Sequence, residues 1–203
     1  MKLFYAPGAC SLGIHLLLEE IGQPYERVLV NLREGAQFKP EFTGINPKSK
    51  VPTLQRDDGS VLTEFPAIAM WLAMKNPALM PKDADTTARA MEATDYAVAT
   101  IHMQGFSRTF RPANFAPSEA DHEAVKEKGL DIYRKGLANL AAALDGRDYV
   151  AGEFSFGDAA PFYVAFWGAE RLKLELPGAL AGHYARMKAR PAVQRAMQAE
   201  GLV

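Results

Sequence analysis

The chain lacks several features that mark particular protein classes, and each absence excludes a possibility. It has 203 residues and a single cysteine, so no disulfide can form within the chain. The formal net charge is only −1, which gives no reason to expect nucleic acid or an anionic membrane as a partner. No apolar run approaches the length of a membrane span, and the break at Pro7-Gly8 comes too early for a signal-peptide core. We therefore expect a cytoplasmic protein in a reducing compartment.

Strand and helix signals alternate at the start of the chain. Lys2–Tyr5 predicts a short buried strand, and a helical pattern opens at Leu12 and ends before Gly22. Tyr25–Val30 then returns to β-branched and apolar residues. This order predicts a β-α-β unit with parallel strands and a right-handed crossover.

A hairpin and a second helix follow. The stretches Thr53–Arg56 and Val61–Leu62 flank the turn Asp57–Ser60, and Pro66 precedes a helical pattern over Ala67–Leu72. A β-α-β unit followed by β-β-α is the thioredoxin-like order. We therefore expect an α/β domain with a mixed four-stranded sheet.

The second half of the chain carries helical signals only. They run approximately over residues 87–110, 118–144, 156–171, 177–188 and 192–200. We predict a thioredoxin-like domain over 1–80, a linker over 81–86 and an all-helical domain over 87–203.

The stretch Gly8-Ala9-Cys10-Ser11 separates the first strand from the first helix. A helix start presents unpaired backbone N–H groups and a partial positive charge, which would lower the pKa of the Cys10 thiol. Because Cys10 is the only cysteine, any redox or conjugation chemistry needs a second thiol from outside the chain.

These features resemble the cytosolic glutathione transferases, and specifically the bacterial beta class. The opening residues 1–12 are similar to that class almost letter for letter. The resemblance continues in Asn46-Pro47-Lys48, Val51-Pro52, Thr63-Glu64 and the segment 155–159, so it covers essentially the whole chain. It implies a detoxifying transferase, a homodimer, and glutathione bound as substrate in the first domain.

The resemblance also implies residue roles. Cys10 would contact the glutathione sulfur, and Ser11 would either donate a hydrogen bond to the thiolate or only cap the helix. Val51 before a cis Pro52 would pair with the extended tripeptide, whereas the plain alternative is a proline that opens a strand. Glu64 would meet the γ-glutamyl end of glutathione.

Two positions depart from the family pattern. Phe65 stands where relatives usually place serine or glycine, so a bulky ring replaces a hydroxyl. The loop near Gly35 also lacks the lysine that meets the glycyl carboxylate in relatives. Arg33, Lys39 or Lys50 could replace it.

The catalytic histidine of the family has two possible registers in this chain. Alignment from upstream places His102 in its position, whereas alignment from downstream places Met103 there. One extra residue absorbed as a π-bulge after His102 would reconcile the two registers. We favour His102 because Asp95 lies seven residues earlier, two α-helical turns along one face, where it could meet the glutathione α-amino group.

Other residues have simpler interpretations. Phe106 and Phe110 either line an apolar acceptor pocket or belong to the helical core. Ser155 with Asp158 is typical of a capping box. We expect His15 to be a core histidine with a hydrogen-bond partner and His183 to face solvent. No cluster has the spacing of metal ligands, so no metal cofactor is expected.

We therefore predict a transferase that conjugates glutathione to small hydrophobic electrophiles. Two alternatives remain at this point: a glutathione-dependent thiol–disulfide oxidoreductase that acts through a mixed disulfide on Cys10, and a non-catalytic protein that binds hydrophobic ligands or a partner.

Overall fold

A four-stranded sheet forms in the first third of the chain, in a computed structural model that describes residues 1–144 and 146–203. Its strands are β1 (Lys2–Tyr5), β2 (Glu26–Leu29), β3 (Thr53–Gln55) and β4 (Val61–Thr63), in the spatial order β2-β1-β3-β4. β1 runs parallel to β2 and antiparallel to β3, and β3 pairs antiparallel with β4. The predicted mixed sheet and thioredoxin-like order are therefore confirmed.

Three helices accompany the sheet: α1 (Ser11–Ile21), α2 (Pro40–Thr43) and α3 (Phe65–Lys75). Gly22 ends α1 with φ of 70°, and its N–H bonds to the Leu18 carbonyl. This left-handed conformation carries little cost only for glycine, which confirms the predicted C-cap.

Alternation along β1 sends neighbouring side chains to opposite faces of the sheet. Phe4 packs edge-on against Phe42 of α2, with ring centroids 5.8 Å apart. Val30 and Val51 belong to the same small buried cluster. Leu3, the residue before Phe4, is fully buried. The loop before Pro52 is thereby fixed to the core.

The rest of the described chain is helical. Its helices are α4 (Ala84–Asp95), α5 (Ser107–Phe110), α6 (His122–Leu144), α7 (Ala159–Phe166), α8 (Gly178–Ala189) and α9 (Pro191–Ala199). Asp83 caps α4 by accepting the Thr86 N–H at 2.8 Å, so this helix starts three residues before the expected position. None of the helices in the described part of the chain is both long and apolar enough to cross a membrane.

A π-helical segment, Tyr96–Phe106, joins α4 to α5. At its end the Ser107 N–H bonds to the His102 carbonyl, five residues earlier. The predicted π distortion near His102 is therefore present, and it begins well before that residue. Because i→i+5 bonding puts more residues in each turn, the α-helical spacing argument that placed Asp95 and His102 on one face does not apply.

The described residues group into two compact units. The first comprises Met1–Met80 and Arg186–Val203, and the second comprises Pro81–Ala185. The last 18 residues, which the sequence assigned to the helical domain, are thus grouped with the sheet. Within the first unit, Arg195 on α9 contacts Glu19 on α1 at 2.7 Å.

The predicted capping box before α7 is confirmed. Asp158 accepts the N–H of Ser155 at 3.0 Å, and the Ser155 hydroxyl accepts the N–H of Gly157 at 3.2 Å. Asp158 also lies 3.0 Å from Nε2 of His183, which is fully buried. The prediction that His183 faces solvent was wrong, because this carboxylate gives the imidazole a buried partner.

Glycines on α6 allow the preceding helical segment to approach closely. A Cβ added at Gly136 would lie 2.5 Å from Cγ1 of Ile101, inside contact distance. Gly182 on α8 has nothing within 4 Å of an added Cβ. Both residues lie inside helices, so they share the same propensity cost and differ in packing.

We expect Gly136→Ala to destabilise the protein by about 1–3 kcal/mol through overpacking. Gly182→Ala should stabilise it by up to about 1 kcal/mol, because alanine is the better helix former. Urea unfolding followed by far-UV circular dichroism measures both changes. Equal shifts in the two variants would contradict the close approach at Gly136.

Candidate functional site

The turn that precedes α1 presents Cys10. Gly8 has φ of 62°, and the N–H of Ala9 bonds back to the carbonyl of Ala6 at 3.0 Å. Cys10 is the N-cap residue of α1 and is half-buried. Its Sγ donates a hydrogen bond to the Val51 carbonyl at 3.2 Å. The thiol therefore lies at a helix N-terminus and is paired with the loop before Pro52.

Burial raises the pKa of the Cys10 thiol to about 12. The backbone N–H groups of Cys10 and Ser11 and the charge of Lys50 act in the opposite direction, and the charge of Glu200 adds to the rise. The expectation that the helix start would lower this pKa was wrong, because desolvation outweighs the helix-terminus effect here. Cys10 is a neutral hydrogen-bond donor at pH 7.

The Ser11 hydroxyl is used within the same turn. Ser11 is fully buried, and its Oγ donates to the Ala6 carbonyl and accepts the Ala6 N–H, both at 3.2 Å. The hydrogen bond from Ser11 to a ligand sulfur stays a prediction, and it requires the hydroxyl to leave Ala6.

The Val51–Pro52 peptide bond is cis, as predicted. Val51 is 8% exposed, and no hydrogen-bond partner is found for its N–H among the residues that the structure describes. Asn46 holds this loop through two hydrogen bonds: its Nδ2 donates to the Lys50 carbonyl at 2.9 Å and to Thr53 Oγ1 at 2.8 Å. The sequence showed Asn46 only as part of a motif and gave no reason for its presence.

Glu64 has a strained backbone, with φ of 68° and ψ of 125° directly before α3. Non-glycine residues seldom adopt positive φ, and those that do are concentrated at functional sites. Its exposed carboxylate lies 2.8 Å from Nζ of Lys48, which also donates to Thr63 Oγ1 at 2.9 Å. The sequence did not assign Lys48 a role.

The two departures from the family pattern differ in their consequences. The side chain of Phe65 is buried, with 5% exposed, so its ring does not protrude from the surface. Arg33, Lys39 and Lys50 are all exposed. Only Lys50 acts electrostatically on Cys10, which favours it among the three candidates for the glycyl carboxylate.

His102 lies in the second unit, in an aromatic environment. Its Nδ1 lies 3.3 Å from the Tyr163 hydroxyl, and its ring meets Trp167 edge-on with centroids 4.7 Å apart. His102 is half-buried, whereas Met103 is 38% exposed and Asp95 is exposed. The upstream register therefore gives a half-buried imidazole among aromatic rings, whereas the downstream register gives a more exposed thioether.

Phe106 and Phe110 form part of an aromatic stack in the same unit. Phe106 stacks on Trp167 at 4.2 Å and on Phe110 at 5.0 Å between ring centroids. Phe106 is buried and Phe110 is 55% exposed. Only the outer ring of the stack can therefore meet a ligand without rearrangement.

Sequence reasoning missed Glu200 as a site residue. Its buried carboxylate accepts the Gly8 N–H at 2.7 Å and lies 2.7 Å from Nδ1 of His15. The prediction of a buried, partnered His15 is confirmed. Glu200 lies 192 residues from Gly8 in sequence, so no local pattern could have joined them.

Within residues 1–144 and 146–203, no three His, Cys, Asp or Glu side chains form a group that could hold a metal ion. The first unit instead brings together a thiol, on Cys10, and a backbone edge, at Val51. A thioredoxin-like sheet, a thiol at the first helix start and a loop before a cis-proline place the first unit in the class of thioredoxin-like domains.

Comparisons with known proteins make the assignment specific. The family model for the N-terminal domain of glutathione S-transferases matches residues 8–75. Glutathione S-transferase GstA of Escherichia coli O157:H7 is 36% identical over 209 residues, covering 100% of both chains. A bacterial beta class glutathione S-transferase of Sphingomonas chungbukensis is 32% identical with a TM-score of 0.85, again over 100% of both chains. A sphingomonad glutathione S-transferase solved in complex with glutathione is 34% identical, with the same TM-score and coverage.

The chain belongs to the glutathione S-transferase family. The predicted beta-class resemblance and enzyme class are confirmed by these full-length matches. The oxidoreductase and the non-catalytic binding protein are not favoured by them.

The neutral state of Cys10 gives a direct test by alkylation. Because its pKa is about 12, the rate with iodoacetamide should rise about tenfold per pH unit from pH 7 to 10 without levelling off. Intact mass measures the rate cleanly, since the chain has one cysteine. A short unstructured peptide with one cysteine, the control, should level off above its ordinary pKa of about 8.5. A plateau for Cys10 below pH 9 would contradict its burial.

Proposed function

We propose that this glutathione transferase binds glutathione as an extended peptide along Val51 and conjugates its thiolate to small hydrophobic electrophiles. The observation that supports this most is the N–H of Val51, which has no partner among residues 1–144 and 146–203 and lies beside a carbonyl that already accepts a thiol hydrogen bond. An extended peptide can pair with both groups of Val51 as an added strand.

Glutathione binding would change the hydrogen-bond partner of the Val51 carbonyl. The cysteinyl N–H of glutathione would donate to the Val51 carbonyl, which releases the S–H of Cys10. That S–H could then donate to the glutathione sulfur, together with the backbone N–H groups at the start of α1. Because hydrogen bonds to an anion favour the charged form, this arrangement lowers the pKa of the bound glutathione thiol.

The chemical step needs no further cofactor. The thiolate lone pair forms the C–S bond, and the leaving group departs with the electron pair of the broken bond. In an addition reaction, water or a nearby acid supplies the proton to the carbon skeleton. The protein contributes by stabilising the nucleophile and orienting it.

Charged residues would hold the two ends of glutathione. We assign Glu64 to the α-amino group and Lys50 to the glycyl carboxylate, and Asp95 keeps its α-amino role only as the family resemblance implies it. The strained backbone of Glu64 supports its role, and the electrostatic effect of Lys50 on Cys10 supports that of Lys50. The Phe65 backbone would serve the γ-glutamyl carboxylate.

In the helical unit we assign His102 a catalytic role and Phe110, stacked on the buried Phe106, the acceptor surface. The exposed face of Phe110 offers a planar apolar surface, which suits a hydrophobic electrophile. Homodimerisation and a cytoplasmic location, both typical of the family, are part of the same proposal.

The raised pKa of Cys10 also bears on the alternative chemistry. Because burial raises the pKa of Cys10 well above neutral pH, little of the thiol is ionised at pH 7. A mixed disulfide forms through the thiolate, so oxidoreductase turnover through Cys10 would be slow. This observation favours conjugation.

Calorimetric titration with glutathione tests the proposal, because ionisation of the bound thiol releases a proton. Titrations in buffers of different ionisation enthalpy should reveal proton release at pH 7, whereas S-methylglutathione should bind without it. Added aryl chloride should then yield a thioether conjugate by mass. Binding without proton release, or reduced disulfide as the only product, would contradict the proposal.

The histidine register has its own test. We expect His102→Gln to lower kcat at least about tenfold, the effect of losing a positioned acid–base group. Met103→Leu, the matched control on the neighbouring position, should leave kcat within about twofold. A large loss of kcat in Met103→Leu with none in His102→Gln would assign the position of the catalytic histidine to Met103.

A further inference from the structure

A buried carboxylate from the end of the chain reaches the turn that presents Cys10, and the proposed chemistry gives it no part. The Glu200 side chain is fully buried. Its Oε2 accepts the Gly8 N–H at 2.7 Å, and its Oε1 lies 2.7 Å from Nδ1 of His15. A charged group is buried at such a position only when its hydrogen bonds are satisfied.

The donor on His15 can be assigned from its other nitrogen. Nε2 of His15 is buried and has no partner in the described part of the chain. An unpaired lone pair costs less than an unpaired buried N–H, so the proton is assigned to Nδ1, which donates to Glu200. The carboxylate thus accepts two short hydrogen bonds, one from α1 and one from the turn before it.

Both hydrogen-bond partners of Glu200 lie in segments that adjoin Cys10. Gly8 lies two residues before Cys10 and has φ of 62°, a left-handed conformation that favours glycine. His15 lies on α1, whose first turn Cys10 begins. Glu200 itself closes α9, where its N–H bonds to the Ala196 carbonyl at 3.1 Å. The end of α9 therefore connects the two segments that flank the thiol.

We propose that Glu200 is a positioning residue for the glutathione site: it fixes the Gly8–Ser11 turn and thereby keeps the Cys10 thiol on the Val51 carbonyl. The test by affinity for a glutathione analogue rests on the proposed function, whereas the test by alkylation of Cys10 does not. The negative charge of Glu200 also favours the protonated thiol, since it raises the pKa of Cys10.

Three variants test this role. Glu200→Ala removes both hydrogen bonds, and Glu200→Gln keeps an oxygen that can still accept the Gly8 N–H. Glu20→Ala is the matched control, because Glu20 also ties α1 to the C-terminal segment, through Arg190 at 2.5 and 3.0 Å, without contacting Gly8. Urea unfolding gives the stability of each variant, so that a general loosening can be recognised.

The first readout is alkylation of Cys10 by iodoacetamide in the folded proteins at pH 8. We expect Glu200→Ala to react about tenfold faster than Glu20→Ala at equal stability, as for the loss of a hydrogen bond to a charged group. Glu200→Gln should lie between Glu200→Ala and the unsubstituted protein. Equal rates in Glu200→Ala and Glu20→Ala would overturn the proposal.

The second readout is the Kd for S-methylglutathione, which has no reacting thiol. It should rise in Glu200→Ala and be partly restored in Glu200→Gln. If alkylation changes as expected but the unsubstituted protein does not bind this probe, the positioning role stands and the proposed function fails. If the unsubstituted protein binds the probe and both Glu200 variants keep its alkylation rate and Kd, the positioning role fails alone.

Discussion

The hydrogen bond from the Cys10 thiol to the Val51 carbonyl is the contact on which the site depends. It joins the start of α1 to the loop before Pro52, two segments 41 residues apart in sequence. The bond requires a protonated thiol, and burial supplies that condition by raising the pKa of Cys10. A neutral thiol beside a ligand sulfur can donate a hydrogen bond, whereas a thiolate would repel a second thiolate. The same burial that makes Cys10 a poor nucleophile would thus suit it to the proposed role of donating a hydrogen bond to another thiol.

Buried polar residues keep both sides of this contact in place. On the helix side, Ser11 bonds to Ala6 and Glu200 bonds to Gly8. On the loop side, Asn46 holds the Lys50 carbonyl. Each of these groups is satisfied by a partner, which is the condition for burying it at little cost. The exposed Glu64, in contrast, keeps a strained backbone with positive φ directly before α3.

Much of the fold could be predicted because its signals are local. β1, the C-cap of α1 at Gly22, the hairpin of β3 and β4 and the capping box of Ser155 each follow from a few neighbouring residues. The properties that could not be predicted are those set by tertiary packing. The desolvation of Cys10 and the burial of His183 against Asp158 both depend on residues far away in sequence. Sequence reasoning weighed the helix-terminus effect on Cys10 correctly in sign, but it had no measure of the burial that outweighs it. The carboxylate of Glu200 was missed for the same reason.

The central claim is that Cys10 is a neutral thiol whose hydrogen bond moves from Val51 to the ligand. The S–H stretching band in the infrared spectrum tests it most directly, because the single cysteine supplies the only such band. S-methylglutathione, which has no S–H, leaves that band unobscured. A neutral Cys10 thiol that changes its hydrogen-bond partner gives an S–H band at neutral pH that shifts when S-methylglutathione binds and is absent in Cys10→Ala. No band at neutral pH, or a band that S-methylglutathione leaves unmoved although it binds, would contradict the account.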